Sequence, residues 1–218
     1  MPPFWSAALD LLLPRVCASC GRAAPDAPLC AACELPGAGD LGAPPPPLSG
    51  WCAAIGYEGE AAEWVRRFKY PRRGLAGLDP AADAVALGLA GRLARFVPGG
   101  APDLVVPVPL HARRLRERGF SPAALLARAI ARSAGARCAP VLLARVRDTP
   151  SQTGLAAGAR RRNVAGAFAA RVRPPPRVWL VDDVATTGST LAEAARALRS
   201  KGAHEVVGVC LAHRARVG

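Results

Sequence analysis

The sequence predicts an α/β fold with a doubly wound, mostly parallel sheet and a small N-terminal module that carries four cysteines. Short, continuously apolar segments alternate with helically periodic ones along residues 51–218, which is the order of a parallel sheet with crossover helices. Of the 218 residues, 51% are hydrophobic, which is enough for one full α/β core. Two Cys-x-x-Cys pairs precede this region, separated from it by a Pro/Gly-rich stretch.

The first residues predict a short docking helix, because apolar side chains from Phe4 to Leu12 share one helical face. Asp10 interrupts the apolar run, and no basic residue precedes it as in a signal peptide. No apolar run approaches the roughly 20 residues that cross a bilayer. We therefore expect no membrane span and a cytoplasmic protein.

The four N-terminal cysteines form two pairs that nine residues separate: Cys17 with Cys20, and Cys30 with Cys33. Four thiolates on two short knuckles can close a tetrahedron around zinc. A disulfide or a redox Cys-x-x-Cys motif is the alternative, although redox motifs usually occur singly. We predict a closed structural zinc site in a module of residues 1–35, with no catalytic role for the metal.

Residues 36–50 contain four consecutive prolines and no periodicity, which predicts a semi-rigid linker before the main domain of residues 51–218. Trp51 and Tyr57 indicate a strand directly after it. A helix over residues 61–69 is expected to bury one face, made of Trp64, Val65 and Phe68.

The remaining elements of the main domain follow in alternation. Asp79-Pro80 begins a helix whose apolar positions continue to residue 96, and Ser121-Pro122 begins another that ends near Gly135. The intervening segment 104–108 is short and apolar without alternation, as in a buried strand. Further strands are predicted at about residues 139–144, 178–181 and 205–211.

The segment 178–191 carries the strongest functional signal. An apolar strand ends in two carboxylates, Asp182 and Asp183, and a turn leads into a helix; the turn consists of Thr186, Thr187, Gly188, Ser189 and Thr190. At the carboxyl end of a parallel strand, a helix N-terminus offers free N–H groups to an anion. An ordinary capped turn is the alternative, but it explains one polar residue and not the whole run. The pattern therefore indicates a sugar-phosphate site.

This segment resembles the phosphoribosyl pyrophosphate (PRPP) signature of type I phosphoribosyltransferases, with its apolar strand, acid pair and Thr-Thr-Gly-Ser-Thr turn. The resemblance implies that Asp182 and Asp183 meet the ribose hydroxyls of PRPP and are the catalytic pair. It further implies that residues 186–190 cradle the 5′-phosphate, and that Mg²⁺ accompanies PRPP.

Other motifs resemble the ComF competence-protein family, whose members join a small zinc module to a phosphoribosyltransferase-like domain. These motifs are the cysteine pairs, Pro-Val-Pro-Leu-His at 107–111, Arg118-Gly119-Phe120, Gln152 and residues 162–168. The resemblance implies substrate contacts at Gln152, Arg162 and Asn163. It also implies that residues 145–168 form a hood over the active site, where the acceptor would be chosen.

Three arginines follow the strand at 104–108, where phosphoribosyltransferases have a pyrophosphate-binding loop. Arg113 and Arg114, joined by Arg118, are expected to contact the leaving pyrophosphate as charge-assisted donors. The alternative is that they are exposed charges at the start of a helix.

The net charge of +13 is concentrated in one part of the chain. Residues 111–173 hold fourteen bases against two acids, whereas residues 1–50 hold two bases against four acids. Such a field attracts phosphates or nucleic acid, although a solvated arginine face would have the same composition.

Two functions therefore stay open. One is a phosphoribosyltransferase that acts on a nucleobase-like acceptor. The other is a non-catalytic competence module that binds single-stranded DNA or a protein of the competence machinery.

Overall fold

The computed structural model describes residues 37–70, 88, 93, 97–149 and 162–214 of the chain. The strands in these ranges are β1 (Gly37–Asp40), β2 (Gly50–Gly56), β3 (Leu104–Pro107), β4 (Arg137–Cys138), β5 (Leu143–Arg145), β6 (Phe168–Ala170), β7 (Arg177–Ala185) and β8 (Glu205–His213). The helices are α1 (Gly59–Lys69), α2 (Ala112–Arg118), α3 (Pro122–Ser133) and α4 (Ser189–Arg199). The four N-terminal cysteines and most of the helix predicted from Asp79 lie outside the described residues.

The main sheet has six strands in the order β1-β2-β8-β7-β3-β4. All neighbouring pairs are parallel except β1 with β2, which is antiparallel and lies at the edge. Helices cover both faces: α1 and α3 contribute to one core cluster, and α4 contributes to the other. The predicted doubly wound, mostly parallel sheet is confirmed.

The two core clusters contain the helix residues that helical periodicity predicted to be buried. Trp64, Val65 and Phe68 of α1 are buried together with Ile130 of α3, as predicted. On the opposite face, α4 buries its apolar positions against β7 and β8. Of the three cysteines outside the N-terminal module, Cys52 and Cys210 are buried and Cys138 is half-buried.

Strand order creates a topological switch point between β3 and β7. From β3 the chain proceeds outward to β4, and it later returns to add β7 on the other side of β3. The connections therefore leave these two strands in opposite directions, which opens a crevice at their carboxyl ends. The acid pair lies near the end of β7, and the arginine-rich α2 follows the end of β3, so both lie at this crevice.

The single strand predicted at 139–144 is wrong. The chain turns after β4, with the Leu142 N–H donating to the Ala139 carbonyl at 3.3 Å. It then leaves the main sheet as β5, which pairs with β6 in a separate antiparallel ribbon. Hydrophobicity along the sequence does not distinguish one straight strand from two short strands joined by a turn.

The segment predicted as a linker contains a strand that composition did not indicate. Gly37 of β1 lies opposite Ile55 of β2, so part of residues 36–50 extends the main sheet. Backbone pairing needs no particular side chains, so a Gly-rich segment can add an edge strand. The linker segment therefore joins the fold of the main domain.

Candidate active site

Asp182 and Asp183 lie in the last half of the central strand β7. The neighbouring β3 ends with Pro107 opposite Val181, so the two acids extend beyond it into the crevice. Their carboxylate oxygens accept hydrogen bonds from backbone N–H groups of the same strand. The Asp183 N–H donates to Asp182 Oδ1 at 2.9 Å, and the Val184 N–H donates to Asp183 Oδ1 at 2.7 Å.

Lys69, the last residue of α1, forms an ion pair with the second acid of this pair. Its Nζ lies 3.0 Å from Asp183 Oδ1, and the two side chains are only 23% and 14% exposed. Burial alone would lower the pKa of Lys69, but the Asp183 and Asp182 carboxylates outweigh it and raise that pKa. The ammonium therefore stays charged and pairs with the Asp183 carboxylate.

Asp182 has a different environment from its neighbour. Burial, followed by the negative charge of Asp183, raises the pKa of Asp182 to about 7, although Lys69, the Asp183 N–H and Arg145 act in the opposite direction. Near neutral pH the pair therefore carries a proton part of the time. A carboxyl that is protonated part of the time can accept hydrogen bonds from neighbouring hydroxyl groups and can also donate one to them.

These acids line a cavity of about 330 Å³, which we call the acid-pair cavity. Its other charged side chains are cations: Lys69, Arg114, Arg118, Arg145 and Arg214. Five cations against two carboxylates leave a net positive charge. Such a cavity favours a polyanionic ligand that also offers hydroxyl groups.

Packing holds the arginines of this cavity in place. Arg118 stacks over Tyr70, 4.7 Å from the ring centroid, and donates to its hydroxyl at 3.0 Å. Arg145 stacks over Phe168 and donates to the hydroxyl of Thr149, a buried residue whose carbonyl accepts from Arg114 at 3.2 Å. The donors are thus preorganised before any ligand binds.

The loop of residues 186–190, here called the threonine loop, connects β7 to α4. Gly188 caps the helix in a left-handed conformation, with φ of 66°. A Cβ at this position would lie 2.5 Å from Pro45 Cγ and 3.0 Å from Trp51 Cζ3, so only glycine fits. The Thr187 and Ser189 hydroxyl oxygens lie 2.7 Å apart and are hydrogen-bonded.

The threonine loop separates two cavities. Thr186 and Thr190 line the acid-pair cavity. Thr186 also lines a larger cavity of about 730 Å³ together with Thr187 and Ser189; we call it the second cavity. The predicted phosphate loop therefore presents hydroxyl groups on two sides.

Sequence comparison identifies relatives along nearly the whole chain. The DNA utilization protein YhgH of Salmonella typhi is 34% identical over 220 residues, which cover 95% of each chain. Competence protein F of Haemophilus influenzae is 40% identical over 109 residues, 48% of each chain. The chain belongs to the ComF family. The YhgH protein of Escherichia coli K12 is 32% identical over 204 residues, covering 90% of this chain and 89% of its own. No family model matches the chain.

Two solved structures are similar to this ComF protein. The glutamine PRPP amidotransferase of B. subtilis, in complex with ADP and GMP, has a TM-score of 0.44 and 22% identity over 66% of this chain. A structure described as the allosteric regulatory enzyme of purine biosynthesis has a TM-score of 0.41 and 21% identity over 67%. In both cases the ComF chain spans about 30% of the other chain.

The predicted pyrophosphate arginines separate in the structure. Arg114 and Arg118 are four residues apart, share a face of α2 and line the acid-pair cavity. Arg113 points elsewhere: its Nε donates to Asp148 Oδ2 at 2.8 Å, and its NH1 lies 3.5 Å from Glu117. Among the described side chains, Arg113 is absent from the lining of both cavities.

The two described residues assigned by the hood motif, Arg162 and Asn163, do not line the acid-pair cavity. Arg162 lines the second cavity rather than the acid-pair cavity. Asn163 follows it in a helical turn and is not among the described residues that line either cavity. Gln152 lies outside the described residues.

Several site residues were not predicted. Lys69, Tyr57, Arg145 and Arg214 line the acid-pair cavity, and they come from distant parts of the chain. His213 was given no role, yet its Nε2 lies 3.1 Å from the Thr186 carbonyl oxygen and its ring packs edge-on against Trp51 at 5.1 Å. A basic residue at a helix end was a weak signal for Lys69; no local signal indicated His213.

Within the described residues, no cluster of three or more His, Cys, Asp or Glu side chains is arranged to hold a metal ion. The described helices also include none that is long and apolar enough to span a bilayer.

Proposed function

We propose that this ComF-family protein binds PRPP in the acid-pair cavity and transfers a phosphoribosyl group to or from a nucleobase-like acceptor. One observation carries the proposal: two carboxylates, a lysine, four arginines and the threonine loop converge at the switch point of a parallel sheet. PRPP combines a vicinal diol with two phosphate-bearing ends, and this cavity offers complementary groups for both.

The acid pair would grip the ribose. Asp183, which forms an ion pair with Lys69, accepts hydrogen bonds from a ribose hydroxyl. Asp182, whose pKa of about 7 leaves it partly protonated, accepts from or donates to the neighbouring hydroxyl. The two residues thus orient the sugar and fix the position of its anomeric carbon.

The reaction would be displacement at that carbon. The bond from C1 to the pyrophosphate oxygen breaks, its electron pair leaves with pyrophosphate, and a nitrogen of the acceptor forms the new bond to C1. Arg114, Arg118 and Arg145 stabilise the charge that develops on the leaving group. No protein nucleophile is needed, because the catalysis rests on positioning and electrostatics.

The residues of this cavity fit Mg²⁺ as an ion that arrives with its own phosphate ligands. Asp182 and Asp183 provide carboxylate oxygens, and magnesium in proteins is commonly held by one or two carboxylates together with substrate phosphates. When bound, the ion neutralises charge on the pyrophosphate.

The test is PRPP binding by calorimetry and pyrophosphate release across a panel of nucleobases with Mg²⁺. We compare the wild type with the double variant Asp182→Asn and Asp183→Asn. The amides keep the oxygens that accept backbone N–H groups but remove both charges. Asp103→Asn, an exposed acid paired with Arg177, is the matched control. Turnover in the wild type and control but not in the double variant is expected; equal turnover in all three would refute the proposal.

A second candidate, a non-catalytic module that binds single-stranded DNA, is favoured by one observation. Exposed arginines cluster on and just after α2 and α3, outside the acid-pair cavity: Arg116, Arg128, Arg132 and Arg137. The relatives' names, competence protein and DNA utilization protein, are consistent with such a partner. PRPP binding without turnover, with salt-dependent DNA binding that weakens when these arginines become alanine, would favour this function.

The zinc module is a separate proposal. Cys17, Cys20, Cys30 and Cys33 have the spacing of a structural zinc site. Metal analysis of the purified chain should give one zinc per molecule. Cys17→Ser combined with Cys20→Ser should remove it, and Cys138→Ser, at a half-buried core position, should not.

A further inference from the structure

The second cavity has the size and composition of a small-molecule site. Its volume of about 730 Å³ lies within the roughly 300–1,000 Å³ usual for ligand pockets. One part of its lining is apolar, with Pro45, Pro46, Trp51, Val164, Ala165 and Ala192. The rest is polar or charged, with Arg162, Arg196, Glu193, His213 and the hydroxyls of the threonine loop.

The charges of this cavity favour an anion. Arg196 is paired with Glu193, which also accepts a hydrogen bond from the Gly166 N–H at 2.8 Å. Arg162 is exposed and makes no ion pair with any residue in the described ranges. Its positive charge is therefore uncompensated, and the N-terminus of α4 at Ser189 adds a positive dipole end.

The apolar part favours a flat ring. Trp51 and the two prolines form one wall, and planar heterocycles stack well on aromatic surfaces. This wall is held against the threonine loop, because Gly188 packs on Pro45 and Trp51 so closely that a Cβ would collide with both. His213 links the same wall to the loop through Trp51 and the Thr186 carbonyl.

The geometry points to a binding site for a nucleoside monophosphate in the second cavity, with the base along the Trp51 wall and the phosphate near Arg162. Because Thr186 lines both cavities, a ligand here contacts the loop that also borders the acid-pair cavity. Occupation of one cavity should therefore change the affinity of the other, and by linkage the change is reciprocal. The site itself does not depend on the proposed transfer reaction; only the coupling does.

The experiment measures binding of AMP to the purified full chain by calorimetry, with adenosine and ribose 5-phosphate as probes that lack the phosphate and the ring. PRPP binding is measured in parallel. Arg162→Ala tests the second cavity, Arg118→Ala tests the acid-pair cavity, and Arg171→Ala, exposed just after β6 and absent from the lining of both cavities, is the control.

We expect AMP to bind at least tenfold more tightly than either partial probe. Arg162→Ala should weaken AMP about tenfold and leave PRPP unchanged, since one charge-assisted contact is lost. Arg118→Ala should do the reverse. Absence of AMP binding, or AMP binding that depends on Arg118 rather than Arg162, would overturn the inference. Failure of PRPP to bind would instead count against the proposed function, and the AMP result would still be decisive here.

Discussion

The acid-pair cavity and the second cavity share Thr186 but are built in opposite ways. The first is small and strongly charged, and its cations are held by stacking and by the buried Thr149. The second is twice as large, and much of its wall is aromatic or proline. The comparison teaches that one short loop can border a strongly cationic cavity on one side and a cavity with an apolar wall on the other. Four substitutions would break or sharpen this contrast.

The largest effect is expected at the loop that both cavities share. Gly188→Ala forces a side chain into a left-handed conformation and against Pro45, which should lower the free energy of unfolding by about 3 kcal/mol. Urea denaturation measures it. Gly42→Ala, also at positive φ but with open space around it, is the control and should cost about 1 kcal/mol. Equal losses would mean that the close packing against Pro45 and Trp51 contributes nothing.

The next largest effect is expected at the ion pair between Lys69 and Asp183 in the acid-pair cavity. Lys69→Met leaves the Asp183 carboxylate without its partner in a largely buried position, which should cost about 2 kcal/mol at pH 8. Lys201→Met, at an exposed position, is the matched control and should be neutral. A loss no larger than that of the control would argue against the ion pair.

A smaller effect of opposite sign is expected at Asp182. Its pKa is raised from 3.8 to about 7, so the folded state binds this proton more tightly than the unfolded chain does. Stability from this group is present below about pH 4 and is lost as the pH rises through 7. Asp182→Asn should therefore stabilise the protein at pH 8 by roughly 2 kcal/mol, less than the full linkage value because the side chain keeps some exposure.

Thermal unfolding from pH 4 to pH 8 measures this gain for Asp182→Asn. Only a small difference is expected at pH 4, where Asp182 is protonated in the folded state and about half ionised in the unfolded chain. A gain at pH 4 as large as at pH 8 would show that the amide acts through packing rather than through charge.

The smallest effect concerns two arginines on one helix. Arg118→Ala should weaken PRPP binding about tenfold, whereas Arg116→Ala, exposed on the other side of α2, should leave it within twofold. Raising the salt concentration should reduce the difference. If both variants weaken binding equally, the arginines act as a diffuse field rather than as the cavity wall.

Local patterns predicted the parts of the site that lie within one stretch of chain. The acid pair and the threonine loop follow an apolar strand, and the left-handed Gly188 confirms the turn that the sequence indicated. The start of α3 was equally local: the Ser121 hydroxyl accepts from the Ala124 N–H at 3.3 Å, and Pro122 opens the helix. Such signals depend on neighbouring residues and therefore need no tertiary structure.

Residues brought together by the fold could not be predicted in this way. Lys69 and Asp183 are 114 positions apart, and only the packing of α1 beside β7 and β8 joins them. The sequence alone does not show which of Arg113 and Arg114 faces the cavity. The side of the helix on which each lies depends on where α2 begins. The ribbon of β5 and β6 was missed because its segments are short and leave the main sheet.

The hydrogen bonds from the backbone to the acid pair affect how substitutions at these two positions in relatives should be interpreted. The first carboxylate oxygen of Asp182 and of Asp183 each receives the N–H group of the next residue, beyond the point where β3 ends. The oxygens thus satisfy backbone N–H groups near the end of β7, in addition to facing the crevice. A lineage that lost catalysis would still be under selection to retain oxygen-bearing side chains here, so aspartate or asparagine at these two positions is no proof of turnover.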